Sequence, residues 1–367
     1  MTSEAAPTAG GLPPAEPTAG GRPPWPLSGI ALGCDYYPEQ WPEEVWATDA
    51  RLMAEAGVGF ATVGVFSWAL LEPDQDRFDF GWLDRVLDLL HAQGIAVDLA
   101  TGTASPPPWL SRRYPETLPT DHDGHRLWPG SRQAWCPSSP VFRERALSLV
   151  EAIATRYAGH PALAMWHVSN ELGCHNLRCY CDVSAAAFRD WLRRRYGDLE
   201  ALNAAWGTTF WSQHYGEWDE VLPPRLTPTV GNPTQSLDFC RFCSDELLDH
   251  YRAERDLLHR ITPGIPVTTN FMSMAGFGGL DYRTWAREQD LVSTDHYLVH
   301  SLPYPRAELA FGADLTRGLF TIEPPDRPRD FRITAGPRIG ITRAVDLRLR
   351  FWIHANAFVS RAAPRRG

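Results

Sequence analysis

The sequence predicts an α/β protein on a parallel sheet, with a (β/α)8 TIM barrel favoured over a doubly wound sheet. Three observations carry this. Six short apolar runs alternate with longer amphipathic ones between Gly29 and Tyr297. Nearly every run is followed at once by polar and aromatic residues: Asp35/Tyr36, Ser67/Trp68, Ser105/Trp109, Asn170/Glu171, Asn270 and Asp295/His296/Tyr297. In a barrel these would gather at the C-terminal mouth, where active sites are built. The chain, 367 residues and 44% hydrophobic, is also long enough to bury such a core.

Residues 1–26 are rich in Ala, Pro and Gly and lack the basic and apolar regions of a signal peptide, so they read as a disordered leader. The barrel region is expected over 27–320. Its first strand is Ile30 to Cys34, and a helix follows from Pro42 to Ala56, stopped by Gly57. Phe60 to Phe66 is the second strand, Trp82 to Gln93 a helix, and Ile95 to Leu99 the third strand. Three prolines, Pro106 to Pro108, are expected to hold the next loop through Trp109 out of any helix.

Helix 140–157 precedes the fourth strand at 163–169, and Phe188 to Tyr196 is helical. Residues 203–233 read as a surface insertion, with Trp206, Trp211 and Trp218 among turn residues. A long helix from Leu237 to Arg260, a fifth strand at Val267 to Phe271 and a sixth at Leu291 to Asp295 complete the pattern. From Asp326 the chain is Arg- and Pro-rich with weak periodicity, and 321–367 is set apart as a divergent segment.

A net charge of −9 argues against a nucleic-acid partner, which needs a basic surface. No apolar run reaches about 18 residues, so no membrane partner is expected and the chain reads as cytoplasmic. Lys is absent, and seven Cys, an odd number, suggest reduced thiols with metal or packing roles. Cys240 and Cys243, three apart on a helix, read as packing residues. The informative stretch is Ala164 to His175: a buried strand ending in Asn170-Glu171 delivers an amide and a carboxyl side by side at the expected mouth. Glu171 is therefore a candidate acid, weighed against an ordinary capping or solvated Glu.

Several motifs are more specific. Cys34-Asp35-Tyr36-Tyr37-Pro38-Glu39-Gln40-Trp41-Pro42, Phe66-Ser67-Trp68-Ala69-Leu70-Leu71-Glu72-Pro73, Arg132-Gln133-Ala134-Trp135-Cys136-Pro137-Ser138-Ser139-Pro140 and Trp166-His167-Val168-Ser169-Asn170-Glu171 resemble the family 42 β-galactosidases. Leu202 to Thr208 and Asp295-His296-Tyr297 share the resemblance, which runs from about residue 29 to about residue 318. It implies a retaining glycoside hydrolase on a (β/α)8 barrel that cleaves terminal β-D-galactosides without a catalytic cofactor. It makes Glu171 the acid/base and Asn170 a hydrogen-bonding partner of the sugar. Such chemistry needs a general acid that holds its proton near neutral pH and a second carboxylate about 5 Å away to attack the anomeric carbon.

The second carboxylate is where the resemblance fails. The family places its nucleophilic Glu about a dozen residues past the segment matching Asp314 to Gly318, and the text here ceases to match after Gly318. Phe320-Thr321-Ile322-Glu323 is the apolar run ending in Glu, and it arrives early. Either the reading frame changes near Gly318, Glu323 is a bystander and strands seven and eight are incomplete, or a divergent short form uses Glu323 as nucleophile. The family's trimerisation domain and small β domain have no counterpart here, so its trimer is not expected. The alternative function is a catalytically dead barrel remnant that at most binds sugar.

The resemblance also implies that Cys136, Cys179 and Cys181 match three of four cysteines holding a structural zinc in some members. Ser184 stands where the fourth is expected, with Cys174, Asp182 or His175 as substitutes. Reduced cysteines packed in a loop are the competing reading. Thr62 occupies the place of an Arg that contacts galactose in many relatives. Trp68, Trp109, Tyr36 and His296 are read as sugar-stacking or hydrogen-bonding residues, against core or rim packing.

Overall fold

The computed structural model describes residues 27, 31–272, 279–296, 305–321 and 353–354. Strands β1 (Gly33–Tyr36), β2 (Phe60–Val63), β3 (Ala96–Ala100), β4 (Leu163–His167) and β5 (Val267–Thr268) form one parallel sheet in that order. Strands β6 (Asn270–Phe271), β7 (Ser293–Asp295) and β8 (Ile353–His354) form a second, also parallel, and β8 runs beside β1. The expected fifth strand is present but changes partner at Thr269: β5 pairs with β4, and β6 with β7. This is the barrel class that the sequence predicts, with its second half built from very short strands.

Helices α1 (Glu43–Glu55), α2 (Trp68–Leu71), α3 (Gly81–Ala92), α4 (Pro108–Arg113) and α5 (Pro140–Tyr157) alternate with the first strands. After β4 come α6 (Asp182–Tyr196), α7 (Leu199–Trp206) and α8 (Pro233–Ile261), then α9 (Tyr282–Ala286) before β7 and α10 (Pro305–Thr321) after it. No helix among the described residues is long and apolar enough to cross a membrane.

Strand parity sorts the core. Ala61, Val63, Val97, Leu99, Trp166 and Val168 face outward and pack with Val86 and Leu90 of α3, Val150 of α5 and Leu258 of α8. On the opposite parity, Phe60 and Met165 pack with Leu291 and Ala164 as an apolar floor. Above it Thr62, Asp98 and His167 form a hydrogen-bonded polar tier that leads to the mouth.

Four local expectations change. Pro108 opens α4 at its first turn, where a missing N–H costs nothing, so Trp109 is helical. Helix α6 begins at Asp182 because the Cys181 sulfur accepts the Ser184 N–H and caps it. Within 203–233, Trp206 ends α7 and is buried with Phe188, Leu192, Phe239 and Phe242 in a second core, whereas Trp211 is exposed. Phe320 and Thr321 close α10 instead of starting a strand, and Glu323 lies outside the described residues. So do Ile30, the leader 1–26 and, apart from Thr321, Ile353 and His354, the segment 321–367.

Candidate active site

Strand β4 delivers Ser169, Asn170 and Glu171 to the mouth on an unusual backbone. Ser169 has φ +53° and Glu171 φ +47°, left-handed positions that non-glycine residues adopt only when their surroundings impose them. Two neighbours do so here. The Glu171 N–H donates to Asn270 Oδ1 at 2.8 Å, and Gln133 Nε2 donates to the carbonyls of Asn170 and Glu171 at 2.6 and 2.7 Å. Gln133 is itself left-handed at φ +59°, and its Oε1 accepts the His175 N–H at 2.8 Å. One buried amide thus staples both ends of the 170–175 turn.

Asn270 is the junction of the site. Its Nδ2 donates to Asn170 Oδ1 at 3.1 Å and Asp295 Oδ2 at 2.7 Å, while Oδ1 also faces His167 Nε2 at 3.2 Å. The other His167 nitrogen faces Asp98 Oδ2 at 3.3 Å, which accepts the Thr62 hydroxyl at 3.2 Å. The position the resemblance gives to an Arg is therefore a Thr that supports a buried carboxylate.

The Glu171 carboxylate is buried and ion-paired, Oε2 lying 2.6 Å from Arg132 Nη2. The same guanidinium nitrogen lies 3.0 Å from His175 Nε2, and Arg132 stacks over the Phe66 ring. Nearby, Tyr37 packs flat on Phe66, and burial beside Asp35, Glu39 and Glu171 pushes its hydroxyl far above the ordinary range. Burial also raises Glu39, opposed by the Ser67 hydroxyl that donates to it at 2.7 Å. Cys174 is pushed up to about 11 by burial and the Glu171 charge, and His175 is lowered by burial and Arg132.

Of the residues expected at the site, the structure brings Asn170 and Glu171 together. Tyr36 has the outward parity, its hydroxyl donating to Asp49 of α1. Trp68 is fully buried, its Nε1 donating to Glu72 Oε2, and Trp109 donates to the Glu72 carbonyl while Arg113 covers its ring. Neither indole offers an open face to a sugar. His296 is half-buried against Gly312 of α10. Arg132, Gln133 and the linking roles of Asn270 and His167 were not assigned from sequence. Arg132 and Gln133 stand inside one of the quoted motifs, the one signal that pointed to them.

A second cluster joins the loop before α5 to the start of α6. The sulfurs of Cys136, Cys179 and Cys181 lie within 4.8 Å of one another, with Cys136 Sγ 3.6 Å from Cys181 Sγ and 3.2 Å from Ser184 Oγ. Hydrogen bonds from Cys136 and Cys179 hold the Cys181 thiol well below its ordinary value. Cys243 is buried in the second core, as expected of a packing residue.

A family model described as β-galactosidase matches residues 35–325. Similar curated proteins include a β-galactosidase from Arthrobacter sp, 54% identical over 80% of this chain and 42% of that one, and one from Thermus thermophilus, 45% identical over 78% and 47%. Among solved structures, the β-galactosidase from Bacillus circulans sp. alkalophilus is 43% identical with a TM-score of 0.75, covering 80% of this chain and 43% of that one. The one from the psychrophilic Marinomonas ef1 is 39% identical with a TM-score of 0.76, covering 79% and 46%. The chain spans less than half the length of the curated relatives it matches.

Proposed function

Because the chain belongs to glycoside hydrolase family 42, the β-galactosidase family, we propose that its mouth carries the acid/base half of a retaining β-galactosidase site. Glu171 is the acid/base, protonating the leaving oxygen and then activating water, and Asn170 hydrogen-bonds the sugar. The observation that carries this is the locked left-handed turn at Glu171, because strain of this kind persists only where the surroundings over-determine it. Arg132 holds Oε2 in the described state, so proton delivery requires substrate entry to loosen that ion pair. Glu323 is the nucleophile only if the chain is a divergent short form; if the reading frame changes near Gly318 it is a bystander.

No cofactor takes part in these steps. Cys136, Cys179 and Cys181 suit a thiophilic ion such as zinc, with the Ser184 hydroxyl at the fourth corner. An ion there would cross-link the loop before α5 to the start of α6, a structural role.

The test is hydrolysis of a nitrophenyl β-galactoside by the full chain and by Glu171→Gln. Loss of at least about a hundredfold in kcat is expected, the scale of a general acid. Activity that survives Glu171→Gln removes the assignment, and activity untouched by Glu323→Ala removes Glu323 as nucleophile. A parent chain that binds galactose without turnover is the sugar-binding remnant.

A further inference from the structure

We propose that Glu171, Cys174 and His175 form a binding site for a thiophilic divalent cation of the zinc class, at the mouth and separate from the three-cysteine cluster. The carboxylate oxygen, Sγ and Nε2 lie within 4.8 Å of one another, and Sγ is 3.6 Å from Nε2. A tetrahedral zinc with sulfur, nitrogen and oxygen ligands holds its donor atoms about 3.3 to 3.6 Å apart, so the Cys174–His175 edge has the required length and the others close by a small movement.

The protein already places a cation at this point. Arg132 Nη2 lies 2.6 Å from Glu171 Oε2 and 3.0 Å from His175 Nε2, so the carboxylate and the imidazole converge on one positive charge. A metal ion would take over that position. Its obstacle is small, because the Arg132 side chain is one-third exposed and can swing outward.

The turn is also prepared for a ligand role. The Cys174 N–H donates to the Glu171 carbonyl at 2.9 Å, and Gln133 ties the backbone of residues 170, 171 and 175. An ion would therefore organise side chains, not backbone. Cys174 and His175 are both accessible enough to receive it. Resting on the acid/base reading above, such an ion would occupy the carboxylate needed for proton transfer and inhibit reversibly.

The test is calorimetric titration of the full chain with Zn2+, followed by Co2+ absorption spectroscopy. Two classes of site are expected, one abolished by Cys181→Ser and one by neither Cys136→Ser nor Cys181→Ser. Cys174→Ser and His175→Ala should each weaken the second class by about tenfold or more while leaving the first intact, which also shows that the variants fold. Cys174→Ser should remove its thiolate-to-cobalt charge-transfer band, and Arg132→Gln should tighten it. A second class unchanged in both variants, or absent from the parent, overturns the proposal. Because binding is read without turnover, its failure is distinct from failure of the catalytic reading, which Glu171→Gln kinetics decide.

Discussion

The two sheets solve the same problem differently. Strands β1 to β4 are four or five residues long and form a parallel ladder, with one register shift at Val97/Asp98, whose outward faces are apolar against the helices. Strands β6 to β8 are two or three residues long, and hydroxyls tie the segment 268–271 to the segment 291–294. The Thr268 hydroxyl donates to the Leu291 carbonyl at 2.7 Å, Ser293 to Thr269 at 3.0 Å and Thr294 to Phe271 at 3.2 Å. Both halves share the buried core, and the second adds hydroxyl-to-backbone stitching between its short strands. Glu171 stands at the border, on the rigid strand β4 but anchored by Asn270 from the stitched side.

The sharpest way to break this comparison is Asn270→Ala. The truncation leaves the Glu171 N–H, Asn170 and Asp295 without their amide partner in a buried site. At about 1–3 kcal/mol for each orphaned group, partly relieved by water, a loss on the order of 3 kcal/mol is expected in urea unfolding. A cost under about 1 kcal/mol would mean that the two halves are joined elsewhere.

Gly173 comes next in size. At φ +83°, a Cβ would lie 3.2 to 3.4 Å from Leu280, Leu247 and Leu177. Gly173→Ala therefore combines backbone strain with crowding across the border, about 2–3 kcal/mol. Gly124 has φ +90° with nothing near its Cβ, so Gly124→Ala carries the backbone cost alone, about 1 kcal/mol. Thermal unfolding of the pair isolates the packing share, and equal losses would remove the crowding argument.

The same contrast explains what the sequence made legible. Helix 140–157 and the second to fourth strands are legible because apolar periodicity and end signals agree there: Ser139 caps α5, and Pro140 opens it. The place of Glu171 after β4 is legible because its motif is long, and its catalytic role is a proposal. The second half was less visible because its strands are short and polar, and the ladder is completed by hydroxyls whose partners lie far along the chain. The break at Thr269 leaves no mark in composition. The sequence ends the first strand at Cys34, but β1 runs to Tyr36, so Tyr36 stands within the ladder and not beyond it. Parity turns Tyr36 outward, and the Glu72 carboxylate claims the Trp68 indole.

The smallest effect, and the finest test, is pH. In the first half, burial raises Glu72 above its ordinary 4.5, and in the second, hydrogen bonds from Arg252 and Arg255 lower Glu288 below it. A carboxyl with a raised folded value destabilises when ionised, so Glu72 returns stability as pH falls towards 4.5 from above. A carboxylate with a lowered folded value stabilises fully above 4.5, and Glu288 loses that contribution as pH falls below 4.5. The two windows lie on opposite sides of one pH. Glu72→Gln should flatten the thermal-stability profile above 4.5 and Glu288→Gln the one below, the latter by less than about 1 kcal/mol because its partners are partly exposed. If Glu288→Gln changed the upper window instead, its arginine pairs would not be the stitching between α8 and the approach to β7 that their geometry describes.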